Sequence, residues 1–115
     1  MRELAEQHYD DGIDALAADH LTAAISSFRE AIKLDPTFLD ARHGLIRALQ
    51  DAGQFDEAIA VAQQLATDDP DDVLAHTRLS ILYQHKGMIA EAEAESARAK
   101  ILGWKAELSQ SKPRS

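Results

Sequence analysis

A period of 34 residues constrains this chain more than any other feature of its sequence. Pro36 and Pro70 stand 34 positions apart, as do Ala24, Ala58 and Ala92. The same spacing gives an apolar column (Leu21, Phe55, Ile89), a breaker column (Asp19, Gly53, Gly87) and a small or apolar column (Ala31, Leu65, Ala99). A period of this length predicts a repeated supersecondary unit, because each unit must bury its apolar face against its neighbour. Segments 3–18, 39–52 and 73–86 carry apolar residues at helical spacing, for example Leu45 with Leu49, and Leu79 with Leu82 and Tyr83. The breakers that follow suit the left-handed conformation that ends a helix, glycine without steric cost and aspartate at some cost. A second helix is expected over 21–34, 55–67 and 89–102. Its alanine column would let a neighbouring helix approach closely. Pro36 and Pro70 then stop the second helix, and the ring of each holds Asp35 or Asp69 out of helical geometry.

Composition agrees with an all-helical reading. Hydrophobic residues make up 45% of the 115 positions but aromatics only 5%, so the usual strand formers are sparse. The chain has no cysteine, which removes disulfides, thiolate zinc sites and thiol nucleophiles. Its opening, MRELAEQHYDDG, has no apolar core of a signal peptide, and no run approaches a membrane span; the expectation is a cytoplasmic protein. The net charge of −8 argues against nucleic acid or anionic membrane as partner. That charge is uneven. Of 20 acids and 12 bases, residues 1–85 hold 16 and 6, and residues 86–115 hold 4 and 6.

Two helices in 34 residues, with glycine and alanine columns, an aromatic in the second helix and a closing proline, resemble the tetratricopeptide repeat. The first unit supplies Gly12, Ala24, Phe28, Ala31 and Pro36 at the family's positions. The second supplies Leu45, Gly53, Phe55, Ala58 and Pro70, and the third Leu79, Tyr83, Gly87, Ala92 and Ala99. Asp11 departs from the usual leucine, His8 and His76 from tryptophan, and Ala62 and Ser96 from the aromatic that Phe28 represents. The resemblance implies an all-α, right-handed α-solenoid of three stacked helix-turn-helix hairpins with a short C-terminal cap. One domain is expected over residues 1–108, with repeats at about 5–38, 39–72 and 73–106, and the polar, proline-bearing SQSKPRS at 109–115 is expected to be a disordered tail.

Proteins of this family are mostly binding modules whose first helices line a concave groove. By resemblance that groove takes Tyr9 and Ile13 from the first unit, His43 and Arg47 from the second, and Leu74, Thr77, Arg78 and Ile81 from the third. Spacing agrees, since His43, Arg47 and Asp51 lie four apart on one helix face. Arg47 and Arg78 are the expected anchors for a carboxylate of a partner peptide, a planar guanidinium being a good fork for that group. Tyr9, Ile13 and Leu74 would add apolar contacts. The alternative is that Arg47 pairs with Asp51 one turn on, and Arg78 with an acid such as Asp40, as surface charges commonly do. Family members that hold the acidic tails of heat-shock chaperones clamp two carboxylates with lysines, asparagines and an arginine. The corresponding positions here are Tyr9, Ile13, Gly44, Leu74 and Arg78, of which only Arg78 matches, so that partner is not expected.

Nothing in the sequence points to an enzyme, a cofactor or a metal. The five histidines show no HExxH spacing, and no glycine-rich phosphate loop is present. His8 and His76 fall in equivalent columns, where a structural histidine is expected. The acids of DDPDD at 68–72 fit a helix N-terminus rather than a calcium loop. The expected function is a protein-interaction scaffold, with self-assembly into homo-oligomers through the ends of the repeat array as the alternative. The third repeat carries Trp104 in the column of Pro36 and Pro70. Gly103 is expected to end the last helix there. Trp104 and Leu108, four apart, would then fold back as a cap or serve as an interface.

Overall fold

The computed structural model describes residues 2–110, which form six helices joined by short turns. These are α1 (Arg2–Ala17), α2 (Leu21–Leu34), α3 (Leu39–Asp51), α4 (Phe55–Asp68), α5 (Val73–His85) and α6 (Ile89–Gln110). The breaker column acts at the backbone. Asp19, Gly53 and Gly87 have φ of 62°, 76° and 73°. Each sits in the same two-bond helix ending. The N–H of Asp19 donates to Leu16 and that of His20 to Ala15. Gly53 and Gln54 donate to Gln50 and Leu49, and Gly87 and Met88 to Gln84 and Tyr83. One left-handed residue thus satisfies two end carbonyls, three times over.

The proline turns repeat as well. Asp35 donates its N–H to Ala31 and accepts from Phe38; Asp69 donates to Leu65 and accepts from Asp72. Ahead of its proline Asp35 is extended (φ −144°, ψ 91°), and its carboxylate accepts from the Thr37 N–H at 3.1 Å and hydroxyl at 2.7 Å. The acids of 68–72 serve α5: Asp72 is its N-cap and accepts from the Ala75 N–H at 3.0 Å.

The chain divides into two compact units, Met1–Val61 and Ala62–Ser115. In the first, α1 packs on α2, α2 on α3, and α1 also touches α3. Phe28 of α2 is fully buried and held between two glycines. A Cβ on Gly12 of α1 would lie 2.7 Å from its Cε1, and one on Gly44 of α3 would lie 2.6 Å from the same atom. A ring fits between these helices only because both positions lack a side chain. Ala5, Ala31, Phe38 and Ala41 extend this core, with Tyr9, Ile32 and Leu34 packed against them.

In the second unit α5 packs on α6. Ala75, Leu79, Leu82 and Tyr83 are buried on α5, and Ala92 on α6. The Ser80 hydroxyl donates to the Ala92 carbonyl at 2.9 Å, and Gln63 donates to the Tyr83 hydroxyl at 2.8 Å. No helix among the described residues is long and apolar enough to cross a membrane.

The end of the chain differs from the sequence-based expectation. Gly103 does not end α6, which runs on to Gln110 and takes in Ser109 and Gln110 of the expected tail; residues 111–115 lie outside the described residues. A lone helix-interior glycine costs only about 1 kcal/mol. Here no proline stands within the next turns to enforce the stop. Trp104, Lys105, Ala106, Glu107 and Leu108 all tolerate helix. Trp104 and Leu108 therefore ride on the last turns of α6, 57% and 70% exposed, rather than folding back over the hairpin.

Candidate functional site

In the first unit, Tyr9 sits on α1 at the edge of the core. Its ring centroid lies 5.9 Å from that of Phe28 and 5.1 Å from that of Phe38. Burial, followed by the charges of Asp40 and Asp10, raises the phenol above its ordinary value, so it is neutral at physiological pH. Arg2 lies 3.9 Å above the Phe38 ring, bonds Asp35, and reaches Glu6 at 3.3 Å. Tyr9 is thus half-buried and framed by rings, with Ile13, one turn on, 40% exposed.

His43 and Arg47 stand on one face of α3. His43 is half-buried, while Arg47 is exposed. The Arg47 Nε bonds both oxygens of Asp51 at 3.1 Å, so the pairing that spacing allowed is made. Gly44, between them, is the residue that admits Phe28.

In the second unit, Leu74, Thr77, Arg78 and Ile81 follow the 0, 3, 4, 7 spacing of one helix face. All four remain at least partly exposed, Leu74 at 45%, while Ala75, His76, Leu79, Ser80, Leu82 and Tyr83 of the same helix are buried. The Thr77 hydroxyl is turned onto its own helix, donating to the Val73 carbonyl at 3.1 Å. The result is a face with apolar ends and a guanidinium between them.

His76 is on the buried face. Its Nδ1 lies 2.7 Å from Glu95 Oε2 and its Nε2 3.1 Å from the Pro70 carbonyl. Both His76 and Glu95 are buried, and Arg98 bonds the other Glu95 oxygen. A carbonyl can only accept, so Nε2 carries a hydrogen. The structural histidine expected at this column is therefore a polar tie between α5 and α6. Its partner Glu95 gave no signal, since a glutamate in an acidic helix reads as surface. Among the described residues, no group of three or more His, Cys, Asp or Glu is placed to hold a metal.

The tetratricopeptide repeat family model matches residues 15–77 and again 49–100. No curated protein sequence matches significantly. Among solved structures, the crystal structure of MamA superposes with a TM-score of 0.86 at 25% identity, covering 93% of this chain and 63% of that one. The type III secretion translocator chaperone SycD from Yersinia enterocolitica gives 0.84 at 25% identity, covering 94% and 83%. PcrH in complex with the chaperone binding region of PopB gives 0.82 at 21%, covering 87% and 81%. The chain spans less than two thirds of the length of the MamA structures it matches. These likenesses establish the all-α helical-repeat fold.

Proposed function

This chain belongs to the tetratricopeptide repeat family, and from that premise we propose that it is a protein-interaction module, not an enzyme, whose first helices line a groove for a segment of a partner protein. The observation that carries this reading is the face of α5. Leu74, Thr77, Arg78 and Ile81 leave apolar surface and a cation at least partly exposed on a helix whose Ala75, His76, Leu79, Ser80, Leu82 and Tyr83 are buried. A helix that only had to close a hairpin would present polar residues there. Tyr9 and Ile13 on α1 and His43 and Arg47 on α3 supply the matching chemistry in the first unit. Proteins of this fold are known with partners seated on them, PcrH with a region of PopB and the CopN–Scc3 complex.

Arg47 in the first unit and Arg78 in the second each offer a guanidinium to a carboxylate of that segment, with His43 and Thr77 assisting on their own helices and Tyr9, Ile13 and Leu74 taking apolar side chains. Asp51 holds Arg47 in the unbound state. A partner carboxylate would replace it, exchanging one charge-assisted bond for another. Asp51 thus tunes affinity, because the incoming group competes with a carboxylate already in place.

The test begins with peptides selected for binding to the 115-residue chain. Asp51→Asn should tighten binding of a carboxylate-bearing peptide by about two- to fivefold, since an exposed pair of this kind is worth up to about 1 kcal/mol. Leu74→Ala should weaken it. If Asp51→Asn weakens binding or leaves it unchanged, Arg47 is not the anchor.

A further inference from the structure

The outward surface of α6 carries an apolar stripe along the whole helix. Ala90, Ala94, Ala97, Ile101, Trp104 and Leu108 follow one another at spacings of 4, 3, 4, 3 and 4, and all six are exposed. Alternation of 3 and 4 is the heptad seam of a helix that packs on another helix. Ile101, Trp104 and Leu108 expose large apolar side chains to 47%, 57% and 70%. The buried contacts of α6, through Ala92 and Glu95, are on its other side. The stripe is therefore surplus to closing the α5–α6 hairpin.

Two gradients along the stripe identify what fits it. Side-chain size rises from three alanines in the N-terminal half to Ile, Trp and Leu in the C-terminal half. Charge changes too: Glu91 and Glu93 flank the first half, while Arg98, Lys100 and Lys105 flank the second, with Glu107 as the one acid among them. We propose that the occupant is a second copy of this chain, its α6 antiparallel to the first about a two-fold axis near residue 99. Reversal sets Ala90 against Leu108 of the second copy, Ala94 against its Trp104, and Ala97 against its Ile101. Each large side chain meets a small one, and Lys105 of one helix runs beside Glu91 and Glu93 of the other. A parallel pair would set tryptophan against tryptophan, alanine against alanine and acid against acid, with crowding at one end and voids at the other. An isologous two-fold contact also closes on itself, giving a dimer and no filament.

This surface is separate from the faces of α1, α3 and α5, so its test does not depend on the groove. It gives the homo-oligomer expected as an alternative from sequence a definite seam.

The experiment is sedimentation equilibrium of the full chain from about 1 to several hundred μM, followed by cysteine cross-linking. The expected mass rises from 12.6 kDa towards twice that value, with a blue shift of emission from Trp104, the single tryptophan. Ile101→Lys with Trp104→Lys should abolish the rise while circular dichroism keeps the helix content. The chain has no cysteine of its own, so single introduced cysteines report direction. Ala97→Cys lies about 6 Å along the helix from its counterpart in the antiparallel pair and cross-links; Ala90→Cys lies about 27 Å away and does not. A monomer throughout the range overturns the proposal. So does a dimer that persists in the double lysine variant, or cross-linking at both positions.

Discussion

Gly12 and Gly103 are both glycines inside helices, and the structure gives them opposite values. A methyl group on Gly12 would strike the Phe28 ring, which cannot retreat because Gly44 closes the other side. Gly12→Ala should therefore destabilise the protein by about 1–2 kcal/mol, the overpacking cost outweighing the gain in helix propensity. Nothing lies within 4 Å of a Cβ built on Gly103, so Gly103→Ala should stabilise by about 0.5–1 kcal/mol. Urea unfolding of the two variants checks both signs. Asp35 makes a pH prediction. Its bonds from Thr37 and then from Arg2 hold the carboxyl below the ordinary 3.8. A carboxylate depressed in the folded state contributes stability that is present above its unfolded pKa and lost as pH falls through the folded value. Asp35→Asn should flatten that part of the stability profile below about pH 4, as read by thermal melts across pH. At this scale the sequence was legible where a residue type has one common use. The breaker column and the structural His76 are such cases. It was not legible at Gly103, because a glycine after a helical run ends the helix only if the residues beyond it refuse helix.

The elements repeat because their endings repeat. Three left-handed residues at one spacing make three helix endings with the same hydrogen bonds, and two prolines make two like turns. These signals are local, so the boundaries of α1 to α5 fall within a residue of the segments expected. Asp19 holds its left-handed conformation at a cost that glycine avoids. Asp19→Gly should stabilise the α1–α2 hairpin by up to about 1 kcal/mol, while Gly53→Ala at φ 76° should destabilise by about 1 kcal/mol. Equal effects of the same sign in chemical unfolding would contradict the shared ending. The pairing of α5 with α6 follows from the same period, but the polar tie within it was not legible. That tie rests on a buried Glu95 of α6 whose partner His76 comes from α5. Glu95→Ala would leave His76 buried without its carboxylate. The expected loss is about 3 kcal/mol, measurable as earlier unfolding of the hairpin in hydrogen exchange.

At the scale of the molecule, the family and the all-α fold follow from the period and the structure together. The fold was legible because hairpin packing depends on small residues at fixed spacing, which the columns display. The groove was less so. Helix spacing puts His43, Arg47 and Asp51 on one face of α3, yet it cannot say whether Arg47 is held by Asp51 or by a partner. The structure gives the unbound answer, Asp51. The central claim is that the two arginines receive a partner's carboxylate, and calorimetric titration of one selected peptide tests it most directly. The account predicts that Arg47→Ala with Arg78→Ala lowers affinity at least about tenfold, a charge-assisted hydrogen bond being worth roughly 1.5–3 kcal/mol, while thermal unfolding stays within a few degrees of the parent. Unchanged affinity in that variant would contradict it.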